Sequence, residues 1–409
     1  WKPKRLYTNT GRWWNPNMTG DEPGVLTIDI GAYNPLLGES YSEIAARSRS
    51  QHKSQGFGST GRRGELKEFL EFRAGEQADK DLFEGVDTSW GRVKGGAGIE
   101  KAVTSAINQY NPSNPGAVLP LLLTIHDQIA GLDDEHWKKI KIAETEEIFK
   151  DVLGLYLEVR ANDYSVAPGD LVELNVEAIN RSSNGVKFKS IQYASLGDSA
   201  LNLTLTNNIK FEFKKKIIVP ADYDYSQPYW LKEQGTLGMY KVDKRLLRGT
   251  PENGPALMTT FILDIYGREM EYDIPVIYKW NDPVAGELYR PFTVTPPTFV
   301  NISEGVYIFA NEEAKDIEVV VKSGRKDVTG TVSLELPDGW RAAPASHEVA
   351  LARKGEEASF TFKVLPPKYQ ISGELKAYVT LEDQTYDYSI QSIEYDHIPT
   401  QLMLPKAAA

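Results

Sequence analysis

LYLEVRANDYSVAPGDLVELNVEAINRS, residues Leu155 to Ser182, alternates apolar and polar side chains on either side of a Pro168-Gly169-Asp170 turn. A period of two places one set of side chains on a buried face and the other toward water, as in antiparallel strands packed on one side. The same alternation recurs in ALNLTLT, IKFEFKKKIIVP, MTTFILDIYG and EYDIPVIYKW. A first β-sandwich is therefore expected over residues 154–284. Within it, Lys214 to Lys216, set between FEF and IIVP, predicts a strand at a sheet edge, where lysines deter pairing with a further strand. After NDPVAGELYRPF a second series follows: FTVTPPTFVN, GVYIFA, KDIEVVVKSG, GTVSLELPDGW, ASFTFKVLPP, GELKAYVTLE and TYDYSIQSIEY. These predict a second sandwich over residues 285–398. The remaining IPTQLMLPKAAA, with Pro399 and Pro405 around a short apolar patch, reads as a linker over residues 399–409.

Upstream of Leu155 the period lengthens. Ile99, Val103, Ala106, Ile107 and Tyr110 follow helical spacing, as do Trp137, Ile140, Ile142, Ile148, Phe149 and Val152. A third run, Val118 to Ile129, lies between Pro115 and Gly131, and Asp133 or Asp134 is placed to cap the last helix. The reading is a small helical bundle. Before it, residues 59–96 are rich in glycine and charge, with one short helix expected over Glu65 to Arg73. Residues 61–153 thus read as connector and bundle.

The first sixty positions carry a different signal. EIAARSRSQHKSQGFG, Glu43 to Gly58, follows the strand-like VLTIDI of Val25 to Ile30, and KPKRLYTNT, Lys2 to Thr10, supplies an earlier strand with a tyrosine. A helix ending in His-x-Ser-Gln, matched here by His52, Ser54 and Gln55 after an acidic strand holding Asp29, resembles the closing element of PIG-L/LmbE zinc-dependent de-N-acetylases. The resemblance implies that residues 1–60 are the C-terminal end of an α/β, Rossmann-like catalytic domain, with the chain opening at Trp1 inside it. It implies a parent hydrolase that deacetylates N-acetylated amino sugars, zinc as that parent's cofactor, and an upstream catalytic segment in the same polypeptide. Large multidomain members are exported, so a periplasmic or extracellular location is expected. The family's Ala-His-Pro-Asp-Asp motif and its distal His element do not occur in this sequence. None of His52, His126, His136, His347 and His397 is spaced with a second His or Cys as a zinc site needs. No catalytic residue and no bound zinc are expected within this stretch, with His52 at most on the rim of a pocket. In the second sandwich, LELPDGWRAAP followed by GEEASFTFKVLPP resembles the Ig-like domain called NPCBM-associated, found beside carbohydrate-binding modules and glycosidases.

The resulting fold class is multidomain α+β: a remnant of an α/β deacetylase domain, a small helical bundle and two Ig-like antiparallel sandwiches. Candidate substrate-binding residues are Trp13, Trp14, His52, Gln55, Tyr229 and Trp230. Tyr229 and Trp230 lie with Tyr223 and Tyr225 in DYDYSQPYWLKEQGTLGMY, and aromatic faces of this kind either stack on sugar rings or fill an interface. Trp13 and Trp14 carry the same two readings. His52, Ser54 and Gln55 serve equally well to close a helix end. His126-Asp127 and Asp133 to His136 resemble a metal cluster, but acidic residues also favour helix N-termini. The net charge of −11 argues against a nucleic-acid surface. The absence of cysteine rules out disulfides and thiol catalysis, and no apolar run reaches the length of a membrane span. The reading with the most support is an accessory, C-terminal portion of a deacetylase acting on an N-acetylated amino sugar or glycan. The alternative is a non-catalytic Ig-like carbohydrate-binding or scaffolding protein.

Overall fold

The computed structural model describes residues 3–395 and 397–409. Trp1 and Lys2, where the reading placed the chain's opening and the start of its first strand, lie outside the described residues. The chain divides into two compact units: residues up to Lys101 with Leu132–Asp134, and Ala102–Gly131 with Glu135–Ala409.

In the first unit, strands β1 (Arg5–Thr10) and β2 (Val25–Asp29) flank β3 (Lys67–Gly75), and both pairings are antiparallel. Helix α1 (Tyr41–Arg49) starts at a capping box: the Ser40 side chain accepts from the Glu43 amide, and the Glu43 carboxylate accepts from the Ser40 amide. Strand β3 corrects the helix expected over Glu65 to Arg73. ELKEFLEF has good helix formers, but hydrogen-bonding to strands on both edges and burial of Phe69 outweigh a propensity worth a few tenths of a kcal/mol per residue. A second correction concerns the His-x-Ser-Gln signature. Helix α1 stops at Arg49, and Lys53–Gln55 form a separate 3₁₀ turn closed by Gly56 at φ +68°. Among the described residues, the α/β character of residues 1–60 goes no further than this helix beside an antiparallel sheet.

Helix α2 (Ala97–Gln109) joins the two units in sequence, and α3 (Leu119–Ala130) and α4 (Glu135–Leu153) form a helical hairpin. The hairpin packs on the first sandwich: the Tyr272 hydroxyl donates to the Glu146 carbonyl at 3.0 Å, and Arg268 grips Asp127 through two hydrogen bonds of 2.9 and 2.6 Å.

That sandwich comprises β4 (Tyr156–Ala161), β5 (Leu171–Ile179), β6 (Val186–Gln192), β7 (Asp198–Leu205), β8 (Phe211–Ile218), β9 (Met258–Ile265), β10 (Arg268–Asp282) and β11 (Gly286–Pro291). The order is β7-β6-β9-β10-β4-β5-β8, with β11 along β10. The fifteen-residue β10 serves both sheets: its first half pairs with β9, its second with β11 and, in parallel, with β4. Phe188 stacks on Phe261 of its own sheet and meets Phe211 of the other edge-on, which locates the core between the sheets. Strand β8, carrying Lys214 to Lys216, ends the order, as the lysine run predicts.

The second sandwich stacks two four-stranded sheets. One is β12 (Thr298–Ile302), β13 (Lys315–Ser323), β17 (Glu357–Leu365), β15 (Arg341–Ala343); the other is β16 (Ser346–Leu351), β14 (Val328–Glu335), β18 (Lys376–Leu381), β19 (Gln384–Tyr386). Val319 and Val321 of β13, Val328 and Val332 of β14 and Val379 of β18 turn inward and, with Phe362, fill the core. GVYIFA, expected as a strand, is a loop: Tyr307 and Phe309 pack on the core while Val306 and Ile308 stay in water. The expected linker 399–409 is also corrected. Ile398–Met403 is strand β21, paired with β20 (Gln391–Tyr395), and the final residues lie alongside β18. Leu404 and Ala407 are buried, and Ala377 donates to the Ala407 carbonyl at 3.0 Å. The short apolar patch in the tail is core.

Candidate functional site

The connection between β8 and β9 is long, and its aromatic residues are individually anchored. The Tyr223 hydroxyl donates to the Ala256 carbonyl at 2.7 Å, and the Tyr229 hydroxyl donates to the Thr250 carbonyl at 3.0 Å. The Tyr229 ring meets Trp230 edge-on at 4.9 Å. Tyr225 takes the interface role, packing against Tyr388 of the second sandwich at 5.6 Å. Burial there, followed by the nearby Tyr386, Tyr388 and Asp387, pushes its hydroxyl up to about 12. Trp230 instead lines a cavity of about 500 Å³, together with Ile277, Pro291, Phe292 and Leu402. Of the pair singled out from sequence, Trp230 faces open space, while Tyr229 has its hydroxyl committed.

In the first unit, Trp13 and Trp14 are 72% and 77% exposed and meet edge-on at 6.1 Å. The turn beneath them is closed by the Trp14 and Asn15 amides, both donating to the Gly11 carbonyl at 2.9 Å. A Cβ at position 11 would stand 2.6 Å from the Trp13 ring, so glycine is needed for the indole to fold over the turn. His52 and Gln55 are exposed. The His52 ring lies 6.0 Å from Phe57, over which the Arg49 guanidinium sits at 5.2 Å. Asp29 is a brace: its carboxylate accepts from the Leu66 and Gly31 amides at 2.8 and 2.9 Å, and its pKa is lowered chiefly by the Leu66 bond.

His126 lies between the two helices of the hairpin, and its neighbour Asp127 holds the hairpin to the sandwich. The imidazole is 3.4 Å from Glu146, its edge faces Phe149, and Asp127 is taken by Arg268. Among the described residues there is no group of three or more His, Asp or Glu arranged to hold a metal ion. The described residues therefore do not fit zinc.

Two arrangements escape the sequence. Glu158, only 7% exposed on the outer face of β4, is ringed by Tyr156, Arg160 and Lys279. The second sandwich carries a cleft of about 720 Å³ at one end, walled by residues 306–312, 336–340 and 366–373, with Trp340 against Phe309 at 4.7 Å. The only sequence signal for it is the tryptophan of PDGW, since the walls come from three separate segments.

No protein-family description matches the chain, and no curated protein matches it either. Solved structures with some likeness include red sea bream transglutaminase, at 10% identity over 61% of this chain and 32% of that one, TM-score 0.26. The secreted serine protease VesC from Vibrio cholerae gives 6% identity over 59% and 54%, TM-score 0.19. A Salmonella alpha-2-macroglobulin mutant gives 9% over 62% and 16%, TM-score 0.21. The chain thus spans about a third of the length of the transglutaminase. Likeness at these scores establishes neither a shared fold nor a shared function.

Proposed function

We propose that this chain is the accessory, C-terminal portion of a PIG-L/LmbE-type zinc-dependent hydrolase that deacetylates N-acetylated amino sugars, outside the cytoplasm. Residues 1–60 complete a Rossmann-like catalytic domain, and the sandwiches, the second of NPCBM-associated Ig-like type, position or recognise the glycan. The observation that carries the proposal is the surface of the first unit. That unit, which carries the exposed His52-Lys53-Ser54-Gln55 turn, leaves Leu6, Ile28, Leu36, Leu37, Phe57 and Phe83 exposed, and buries few large apolar side chains of its own. A unit that buries so little apolar surface is short of a core of its own, as expected of one that packs against further chain. The preceding catalytic segment of the same polypeptide is the partner that fits, and it supplies the zinc ligands that the described residues lack.

The test compares this chain with a polypeptide extended upstream in its reading frame. Zinc content by elemental analysis and acetate release from a chitin oligosaccharide are measured on both. The expected result is neither stoichiometric zinc nor turnover in this chain, and both in the longer one. A longer polypeptide without zinc and without acetate release refutes the proposal. The aromatic cleft around Trp340 favours a second reading, a non-catalytic Ig-like carbohydrate-binding protein in which the His52 turn is inert.

A further inference from the structure

The cleft in the second sandwich is built to a different rule from the rest of that domain. Its floor is Trp340, held edge-to-face on Phe309, and its two flanking segments are locked against each other by glycines. Gly339 has φ +87°, and a Cβ there would stand 2.8 Å from the Tyr369 hydroxyl; a Cβ on Gly373 would stand 2.5 Å from Pro337. These two walls are therefore fixed against each other, and the third, residues 306–312, is a loop. The mouth is not apolar throughout: Val306 is 75% exposed and Tyr369 60% exposed, but Glu312, Lys368 and Gln370 stand beside them. None of those three polar side chains has a hydrogen-bond or ion-pair partner among the described residues. The Trp340 indole N–H is buried with no acceptor, an arrangement that costs about 1 to 3 kcal/mol. A cavity of this size, mostly apolar and aromatic with a few uncommitted polar groups, has the make-up of a small-ligand site.

The polar groups narrow the ligand. A proline-rich peptide offers carbonyl acceptors and few donors, so it would leave the Glu312 carboxylate without anything to accept from. A saccharide offers hydroxyls that both donate and accept, and C–H faces that lie on aromatic rings. An acetamido group adds a carbonyl beside a methyl, the pairing that an indole N–H next to the Phe309 ring accommodates. We propose that this cleft binds an N-acetylhexosamine unit of a glycan, its acetamido carbonyl accepting from Trp340 Nε1 and its hydroxyls exchanging hydrogen bonds with Glu312, Lys368 and Gln370. Because the indole nitrogen is covered in the free protein, the 303–314 loop shifts as the acetamido group enters. The choice of an N-acetylated sugar rests on the function proposed above; the existence of the site does not.

The experiment uses the whole chain. Indole N–H signals are followed by NMR during titration with a chitin oligosaccharide, its fully deacetylated counterpart, and an oligoproline peptide. The expected result is a shift of the Trp340 signal with the chitin oligosaccharide alone. Trp340→Phe, which keeps a ring and removes the donor, should weaken binding about five- to tenfold. Lys368→Ala, at an exposed position without a partner among the described residues, should weaken it with no change in melting temperature. Equal binding of the deacetylated oligomer overturns the acetamido assignment. A silent Trp340, binding indifferent to both substitutions, or a response to oligoproline overturns the site. This readout needs neither zinc nor turnover, so a longer polypeptide without amidase activity removes the deacetylase reading and leaves the cleft, while an active deacetylase with a silent cleft does the opposite.

Discussion

Replacing Glu158 with alanine tests whether the buried charges on the outer face of β4 are scaffold. The carboxylate accepts from the Tyr156 hydroxyl at 2.6 Å, lies 3.1 Å from Lys279 Nζ, and stands 2.8 Å from Arg160 Nε. The last contact is an ion pair without hydrogen-bond geometry, since neither atom has a hydrogen-bond partner. Removing one member of a buried pair costs roughly 3 to 5 kcal/mol when the other charge is stranded. Here neither cation is stranded: Arg160 keeps Glu177 at 3.1 Å, and Lys279 keeps the more exposed Glu287 at 2.7 Å. The expected loss for Glu158→Ala is therefore lower, about 2 to 3 kcal/mol, read as a fall in the urea midpoint at unchanged slope. Exchanging Glu158 for leucine and Lys279 for methionine together should recover all but about 1 kcal/mol, because Glu287 then returns to water. Tyr156 gives an independent signal. Its hydroxyl pKa is raised by burial first and by the bond to Glu158 second, so it should titrate lower in the alanine variant. A single variant that costs less than about 0.5 kcal/mol, or a double as costly as the single, would refute this account of the network.

Tyr225 and the tail provide two further tests. Tyr225 titrates at about 12 in the folded chain against roughly 10 for a free tyrosine, so its contribution is complete below pH 10 and is lost as pH rises through 10 to 12. Stability followed by circular dichroism should fall across that window, and Tyr225→Phe should flatten the fall; an unchanged profile in the variant would assign the loss elsewhere. Removing Leu404 to Ala409 strips two buried side chains and the backbone bonds to Leu375, Ala377 and Asp387, and should destabilise the second sandwich by at least about 3 kcal/mol. Limited proteolysis and urea unfolding check it, and an unmoved midpoint would mean the segment is a linker after all.

Legibility in the sequence followed how local each signal is. Alternation in LYLEVRA and LVELNVEAI reports burial on one face directly, and Lys214 to Lys216 report an edge because charge there is a local device against pairing. Helical spacing placed α2, α3 and α4 within two residues of where they lie. What failed depends on partners remote in sequence. Residues 67–75 become a strand only because Arg5–Thr10 and Val25–Asp29 lie on either side, and the tail becomes part of a sandwich only because β19 pairs with Val379–Leu381 and leaves the start of β18 open. Glu158 reads as an ordinary outward polar residue until cations from β4 and β10 close over it. The cleft is invisible for the same reason, since three loops compose it. Of the candidate site residues, aromatic composition found Trp13, Trp14 and Trp230, each with an open face, but it did not separate Trp230 from Tyr229, whose hydroxyl is spent on the Thr250 carbonyl.

The seam between the sandwiches decides how the Tyr225 result is to be read. Residues Ser165–Val166 pair in parallel with Thr293–Val294, so the connection between the domains is itself part of a small sheet. Lys354 reaches across to Asp163 at 2.8 Å and to the Ser165 carbonyl at 2.8 Å, and lies over the Tyr164 ring at 4.1 Å, on which the Arg290 guanidinium also sits at 4.5 Å. Arg325 adds an ion pair to Asp170 at 3.0 Å. Burial lowers the Lys354 pKa, opposed by its bond to Asp163, so the seam holds a second group that titrates on the alkaline side. Lowering has the opposite consequence to the raised tyrosine: relative to the unfolded chain, the buried lysine disfavours the fold at neutral pH, and that penalty fades as pH rises through its unfolded value near 10. The two groups therefore pull stability in opposite directions over neighbouring windows. Only the part of the alkaline fall that disappears in Tyr225→Phe belongs to the tyrosine contact, and a Lys354→Met control, which removes the opposing titration, should make the remaining fall steeper.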